Sequence, residues 1–304
     1  MGKKRWVSLI AALAIAATLA GCQKDESAAP TAPAASASAA ATDAVGAALN
    51  LLSGTAKTNG APAGTGDWAM MKGGTPTSEQ VDVAERWVQL TAKTVGDLGR
   101  GVVNGAGLTL YRFDNDSADP SRSTCDGDCA QKWPPLTIDQ NGKVFIAGIK
   151  KSDIGFIRRN DKRIQVTIGG WPVYRFAQDA APGDIKGQGV GGTWFAVAPG
   201  GGKLTRDDKP SAGPTQAGPA DAPADAPAAT SAFLFSEKNF SDIAATQGVT
   251  GSECTNVSLT VKSISADGRF FVWNQPDCKG DRREFGDEGV GDLADFTTKS
   301  IRLR

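Results

Sequence analysis

The chain has 304 residues, with 33 Lys+Arg against 33 Asp+Glu, no histidine, five cysteines and two tyrosines. Balanced charge supplies no field to draw in DNA or RNA, and no basic cluster stands beyond the first five residues. Without histidine there is no Ser-His-Asp or Cys-His catalysis, no CxxCH haem ligation and no His-bearing zinc or copper site, so a non-enzymatic protein without a cofactor is expected.

Lys3, Lys4 and Arg5 precede the apolar run Val7 to Ala20. That run is too short to cross a hydrocarbon core of ~30 Å, which favours a signal peptide over a membrane helix. It ends in Leu19-Ala20-Gly21-Cys22 and resembles the bacterial lipoprotein signal. The resemblance implies removal of residues 1–21, diacylglycerol on Cys22, and a mature protein anchored on the extracytoplasmic face of the cell membrane. Disulfides persist there. With Cys22 accounted for, Cys125, Cys129, Cys254 and Cys278 remain to form two bridges.

Residues 22–85 are rich in Ala, Ser, Thr, Pro and Gly and read as a disordered tether with an r.m.s. reach of ~45 Å, apart from a weak helix around Val45 to Leu52. Residues 86–199 read as strands: Trp87 to Leu90, Gly101 to Val103, Leu108 to Phe113, Phe145 to Ile149, Ile154 to Arg158, Arg163 to Ile168, Val173 to Phe176 and Trp194 to Val197. Asn104-Gly105 signals a two-residue hairpin turn. Tyr111, Arg112, Phe113 and Asp116 return as Tyr174, Arg175, Phe176 and Asp179, all displaced by 63 residues, and Trp133 and Trp194 lie 61 apart. A shared offset marks a duplicated unit. Cys125 and Cys129 enclose Asp126-Gly127-Asp128 and read as a bridge fixing a local conformation. The rival is a redox-active dithiol, but no CxxC or thioredoxin-like setting is present.

Residues 200–230 form a second, Pro/Ala-rich linker. In residues 231–304, Ser258 to Ile264 aligns with Asp295 to Ile301 at an offset of 37, and Asn239-Phe240 meets Asp277-Cys278 with one inserted residue. Two halves of this size suit a double Greek key, which a Cys254–Cys278 bridge would staple. The expected fold class is therefore all-β, with a strand-rich duplicated repeat followed by a small double Greek-key domain.

The central region, with Tyr111/Phe113/Asp116, Tyr174/Phe176/Asp179, Cys125-x3-Cys129, Trp133-Pro134-Pro135 and the GQGVGGTWFAV run, resembles bacterial secreted-repeat lipoproteins bearing a Yx(F/W/Y)xxD motif. That family has no settled biochemical function. Phe233 to Phe240, Phe270 to Gly280 and the SLTVKS/DFTTKS pair look like a βγ-crystallin-type domain, close to secreted forms that include peptidase inhibitors. Calcium-binding members use [N/D][N/D]xx[S/T]S. Here Asp295 and Ser300 match, but Phe296 and Lys299 replace expected ligand positions, so these two are only weak calcium candidates.

Tyr111, Phe113, Tyr174 and Phe176 read as core or cross-strand pairs rather than a binding platform, and Asp116 and Asp179 as turn-holding side chains. A sharper and less favoured hypothesis joins both Tyr–Asp pairs as oxygen ligands for a hard metal. The function expected is binding or scaffolding at the cell envelope by a lipid-anchored monomer, with a cell-wall polymer or secreted protein as partner and no nucleic acid. The alternatives are protease inhibition by the C-terminal domain and envelope redox or metal handling by the repeats.

Overall fold

The computed structural model describes residues 49–61, 78–206, 227–293 and 295–304. The signal segment, Cys22 and most of both expected linkers lie outside the described residues. All of the described residues fall in one compact unit, Ala35–Arg304.

The chain is all-β, as its alternating patterns foretell. In the central module, β1 (Asn50–Ser53), β2 (Trp87–Thr94), β3 (Arg100–Val103), β4 (Tyr111–Phe113), β5 (Ser117–Ala118), β6 (Ser121–Arg122), β7 (Thr137–Ile138), β8 (Lys143–Ala147), β9 (Ile154–Arg158), β10 (Ile164–Ile168), β11 (Trp171–Tyr174) and β12 (Trp194–Ala196) form two main sheets. One has the order β1-β8-β2-β3. The other has the order β12-β4-β11-β10-β7, with β9 also on β10. Alternate residues of β2 and β10, namely Val88, Leu90, Ala92, Ile164, Val166 and Ile168, meet in one apolar core.

Three expectations for this module are corrected. Residues 22–85 are not wholly tether, and Val45 to Leu52 does not give a helix over its described part. Asn50–Ser53 instead pairs in parallel with β8, because Leu49 can enter the apolar core and Leu51 can pack against it once the edge of β8 supplies backbone partners. A helix, α1 (Ser78–Ala84), also lies inside the expected tether. The Asn104-Gly105 turn is longer than two residues. Asn104 N–H donates to Leu108 O at 3.0 Å and Gly107 N–H to Asn104 O at 2.9 Å, with Gly107 at φ 78° supplying the left-handed residue such a loop needs.

The C-terminal module contains β13 (Ser231–Phe235), β14 (Thr246–Thr250), β15 (Thr255–Asn256), β16 (Ser263–Ala266), β17 (Phe270–Gln275), β18 (Lys279–Phe285) and β19 (Ser300–Leu303). Its sheets run β14-β13-β16 and β15-β19-β17-β18. The halves exchange edges: β15 of the first half joins β19 of the second, while Val290 of the second bridges Ile264 of the first. This is the intertwined double Greek key expected of the duplication.

The aligned dipeptides Asn239-Phe240 and Asp277-Cys278 all have positive φ, between 56° and 58°. In each half a serine 37 residues from its counterpart holds that strained turn. Ser263 Oγ accepts from Phe240 N–H at 3.0 Å and donates to Glu237 O at 2.7 Å. Ser300 Oγ does the same with Cys278 N–H at 3.0 Å and Gln275 O at 2.6 Å.

The modules touch. Phe235, Phe240 and Ala244 share an apolar cluster with Ala147 of β8, and Gln89 Nε2 donates to Asp242 Oδ2 at 3.3 Å.

Candidate binding site between the repeats

The two motif copies lie side by side. β4 and β11 are antiparallel with Tyr111 opposite Tyr174 and Arg112 opposite Val173, so the sheet carries an approximate two-fold axis. Because side chains alternate, Tyr111, Tyr174 and Phe176 enter one buried aromatic cluster, with Phe113 packed against it. Leu110 and Val173 enter the apolar core on the other side.

Within the aromatic cluster the copies are crossed. Tyr111 Oη donates to Asp179 Oδ2 at 2.6 Å, and Tyr174 Oη donates to Asp116 Oδ2 at 2.6 Å. Each aspartate also holds its own loop, as the sequence foretells. Asp116 accepts from Thr124 N–H at 2.7 Å and Asp179 from Lys186 N–H at 3.0 Å. Burial, the neighbouring aspartate and the bond to it push both phenol pKa values well above the usual tyrosine range. Burial also raises both carboxyls, and the tyrosine bonds partly offset that rise. All four side chains are at most 7 % exposed. The pairs act as internal clamps. Among the described residues no three His, Cys, Asp or Glu side chains converge as a metal cluster.

Trp133 and Trp194 stack on each other at 3.8 Å, Phe176 lies 4.3 Å from Trp133, and Phe113 lies 4.2 Å from Trp194. The Gly-rich run that the sequence leaves as a loop has a packing reason. A Cβ on Gly187 would stand 2.8 Å from the Tyr111 ring and 2.9 Å from Trp133.

Both disulfides are present, with Cα separations of 5.2 Å for Cys125–Cys129 and 6.0 Å for Cys254–Cys278. The first sits beside a residue that the sequence reading missed. Arg159 donates to Cys125 O at 2.6 Å, Asp126 Oδ1 at 2.7 Å, Gln165 Oε1 at 2.6 Å and Ser123 Oγ at 2.8 Å. Ser123 in turn stands 2.8 Å from Tyr174 Oη. A charge-rich RRNDKR stretch reads as a solvated turn, and nothing in it marks Arg159 as the buried member.

The two-fold relation extends to the segments that flank the motif strands. Ala196 opposes Tyr111 within β12. Its counterpart Pro135 bridges Tyr174, and Arg175 N–H to Pro134 O at 2.9 Å and Leu136 N–H to Val173 O at 3.0 Å continue that pairing, although Pro134 and Pro135 themselves have no N–H to donate. Beside this segment lies a cavity of about 520 Å³. Val81 and Ala84 of α1, Ala130 of the short helix α2 (Asp128–Lys132), Pro134, Pro135 and Leu136 give it an apolar lining. Polar side chains are more numerous in the lining, among them Glu85, Asn104, Asp126, Arg159, Arg163 and Arg175. Burial raises the Glu85 carboxyl, which accepts a short bond from Thr137 Oγ1. Its volume is that of a small-molecule site. The sequence singled out Trp133-Pro134-Pro135 and Arg175 as motif positions but gave no sign of a cavity. In the C-terminal module, Ser300 is fully buried in its turn, whereas Asp295 is exposed.

The sequence model of a family described as "Secreted repeat of unknown function" matches residues 93–137 and 155–198. The central module is similar to two copies of that repeat. The two matched segments carry the crossed tyrosines and aspartates, one copy each. No match was found among curated proteins. A solved structure, "Solution structure of the fifth crystall domain of the non-lens protein, Absent in melanoma 1", is 20 % identical and covers 25 % of this chain and 89 % of its own, with a TM-score of 0.23. Among the described residues no helix is long and apolar enough to cross a membrane.

Proposed function

We propose that this is a non-enzymatic cell-envelope protein, held outside the membrane by diacylglycerol on Cys22, whose secreted repeats bind a small molecule. The observation that carries the reading is the 520 Å³ cavity beside Pro134 and Pro135, whose lining combines apolar side chains with charged and amide groups. The crossed Tyr–Asp clamps support it. They make the surrounding sheet a rigid frame, so a bound molecule meets a preformed wall and loses less to ordering. Residues 1–22 support the anchor, and the match to a secreted repeat supports the compartment.

The test is to purify the full chain from the envelope of its own cells in mild detergent and measure its native mass before and after denaturation. The expected result is a stoichiometric small molecule released on unfolding, together with an N-terminal peptide that starts at a diacylglyceryl Cys22. A ligand-free protein that also gains no thermal stability from any member of a metabolite panel would sink the binding reading, since ligands of the native state must raise its melting point. An unmodified Cys22 would sink the anchor independently.

A further inference from the structure

Where the two modules meet there is a second pocket, of about 390 Å³, and opposite charges reach its wall from the two sides. Lys93, on β2, comes from the central module. Asp242, in the loop between β13 and β14, comes from the C-terminal one. Among the described residues the Lys93 ammonium has no hydrogen-bond or ion-pair partner. Burial lowers its pKa, and the charge of Asp242 only opposes that fall.

Asp242 is the complementary case. Its Oδ2 accepts from Gln89 Nε2 at 3.3 Å and its backbone carbonyl from Lys57 Nζ, but Oδ1 is buried without a partner. Lys238, another cation of the wall, is taken up by Asp292 at 2.7 Å. Asn104 adds a third open group. It is 1 % exposed, its Oδ1 accepts from Leu108 N–H at 2.9 Å, and its Nδ2 has no partner. Half-buried charges and buried donors left in this state are costly. A single small ion cannot answer both signs, since an anion on Lys93 leaves Asp242 Oδ1 as it was.

We propose that this pocket holds a free α-amino acid as its zwitterion. The carboxylate accepts from the Lys93 ammonium and from Asn104 Nδ2, the α-ammonium donates to Asp242 Oδ1, and the side chain lies against Val103, Pro182 and Phe240. A quaternary ammonium has no N–H to give, so a betaine would leave Oδ1 unsatisfied. The site is separate from the cavity beside Pro134 and Pro135, with Asn104 alone common to both walls.

The experiment uses the full chain with Cys22→Ser. The common amino acids are screened by thermal shift, and the one that stabilises most is titrated by calorimetry beside its N-acetyl derivative, which lacks the cation, and its amide, which lacks the anion. One-to-one binding of the amino acid is expected, with each derivative weaker by about tenfold or more, because each leaves one buried charge unanswered. Asp242→Asn should erase the difference between the amino acid and its N-acetyl derivative while keeping that against the amide. Lys93→Gln should do the reverse. No amino acid that stabilises the chain, or derivatives that bind as tightly as the parent, would overturn the assignment without any variant being made. Differences unchanged in both variants would place the amino acid elsewhere and overturn it too. So would a variant of native near-UV circular dichroism that loses both differences together. None of these outcomes touches the small-molecule reading of the first cavity, which rests on the occupant released from the envelope-purified chain.

Discussion

Tyr111 and Tyr174 are the only tyrosines in the chain, and each is wholly buried against an aspartate of the other repeat. Two measurable consequences follow from that simplicity. In a double-mutant cycle, Tyr111→Phe and Asp179→Asn should couple by about 1.5–3 kcal/mol, the range for a hydrogen bond to a charged acceptor. Tyr111→Phe and Asp116→Asn should be nearly additive, because those side chains are close in sequence but share no bond. The second consequence concerns alkali. Both folded phenols have pKa values raised above the unfolded value of ~10. Their contribution to stability is therefore complete below pH ~10 and is lost as pH rises towards the folded values. With two groups the loss is about 2.7 kcal/mol per pH unit. Phenolate absorbance near 295 nm should accordingly appear only together with the loss of near-UV circular dichroism. Phenolate forming in a protein that keeps its native spectrum would show that the tyrosines are not buried as described.

At the scale of elements, the left-handed dipeptides of the C-terminal module are held by a serine acting as donor and acceptor at once. Ser300→Ala should leave Cys278 N–H and Gln275 O without their shared partner and destabilise the module by about 1–3 kcal/mol, read as a lower denaturant midpoint at constant m-value. A null effect would mean that the turn holds itself. This device was half legible beforehand. The offset of 37 paired Ser263 with Ser300 and Asn239-Phe240 with Asp277-Cys278, but their joint role depends on backbone angles that no residue identity announces, since Phe and Cys are poor markers of positive φ. The strands themselves were legible wherever alternation was clean, as in β2 and β10. β1 was missed because a short strand in an Ala- and Ser-rich segment owes its form to the edge of β8, a tertiary cause that outweighs local pattern.

At the scale of the whole molecule, the two modules share the cluster of Ala147, Phe235, Phe240 and Ala244. Gly148 is part of the reason, since a Cβ there would stand 2.4 Å from the Phe240 ring. Phe240→Ala is expected to split a single calorimetric unfolding transition into two, with the C-terminal module melting first. A wild type that already melts in two steps would show that the contact carries no cooperativity. None of this contact was legible, because the apolar residues that make it fit equally well in the core of either module. The candidate site was likewise visible only in parts. Its motif arginine and prolines stood out as letters, whereas the cavity is walled by segments far apart in sequence, around Val81, Ala130, Pro135 and Arg159, that meet only in the fold, and Asn104 looked like turn chemistry alone.

The crossed clamps also bear on how such a sequence can change over generations. Because Tyr111 answers to Asp179 and Tyr174 to Asp116, a substitution in one copy is compensated in the other copy, not in its own. Correlated substitutions among relatives should therefore run between repeats. The same crossing would be satisfied by two separate chains of one repeat each, so a symmetric pair of single-repeat subunits is a workable ancestor that fusion would have made permanent.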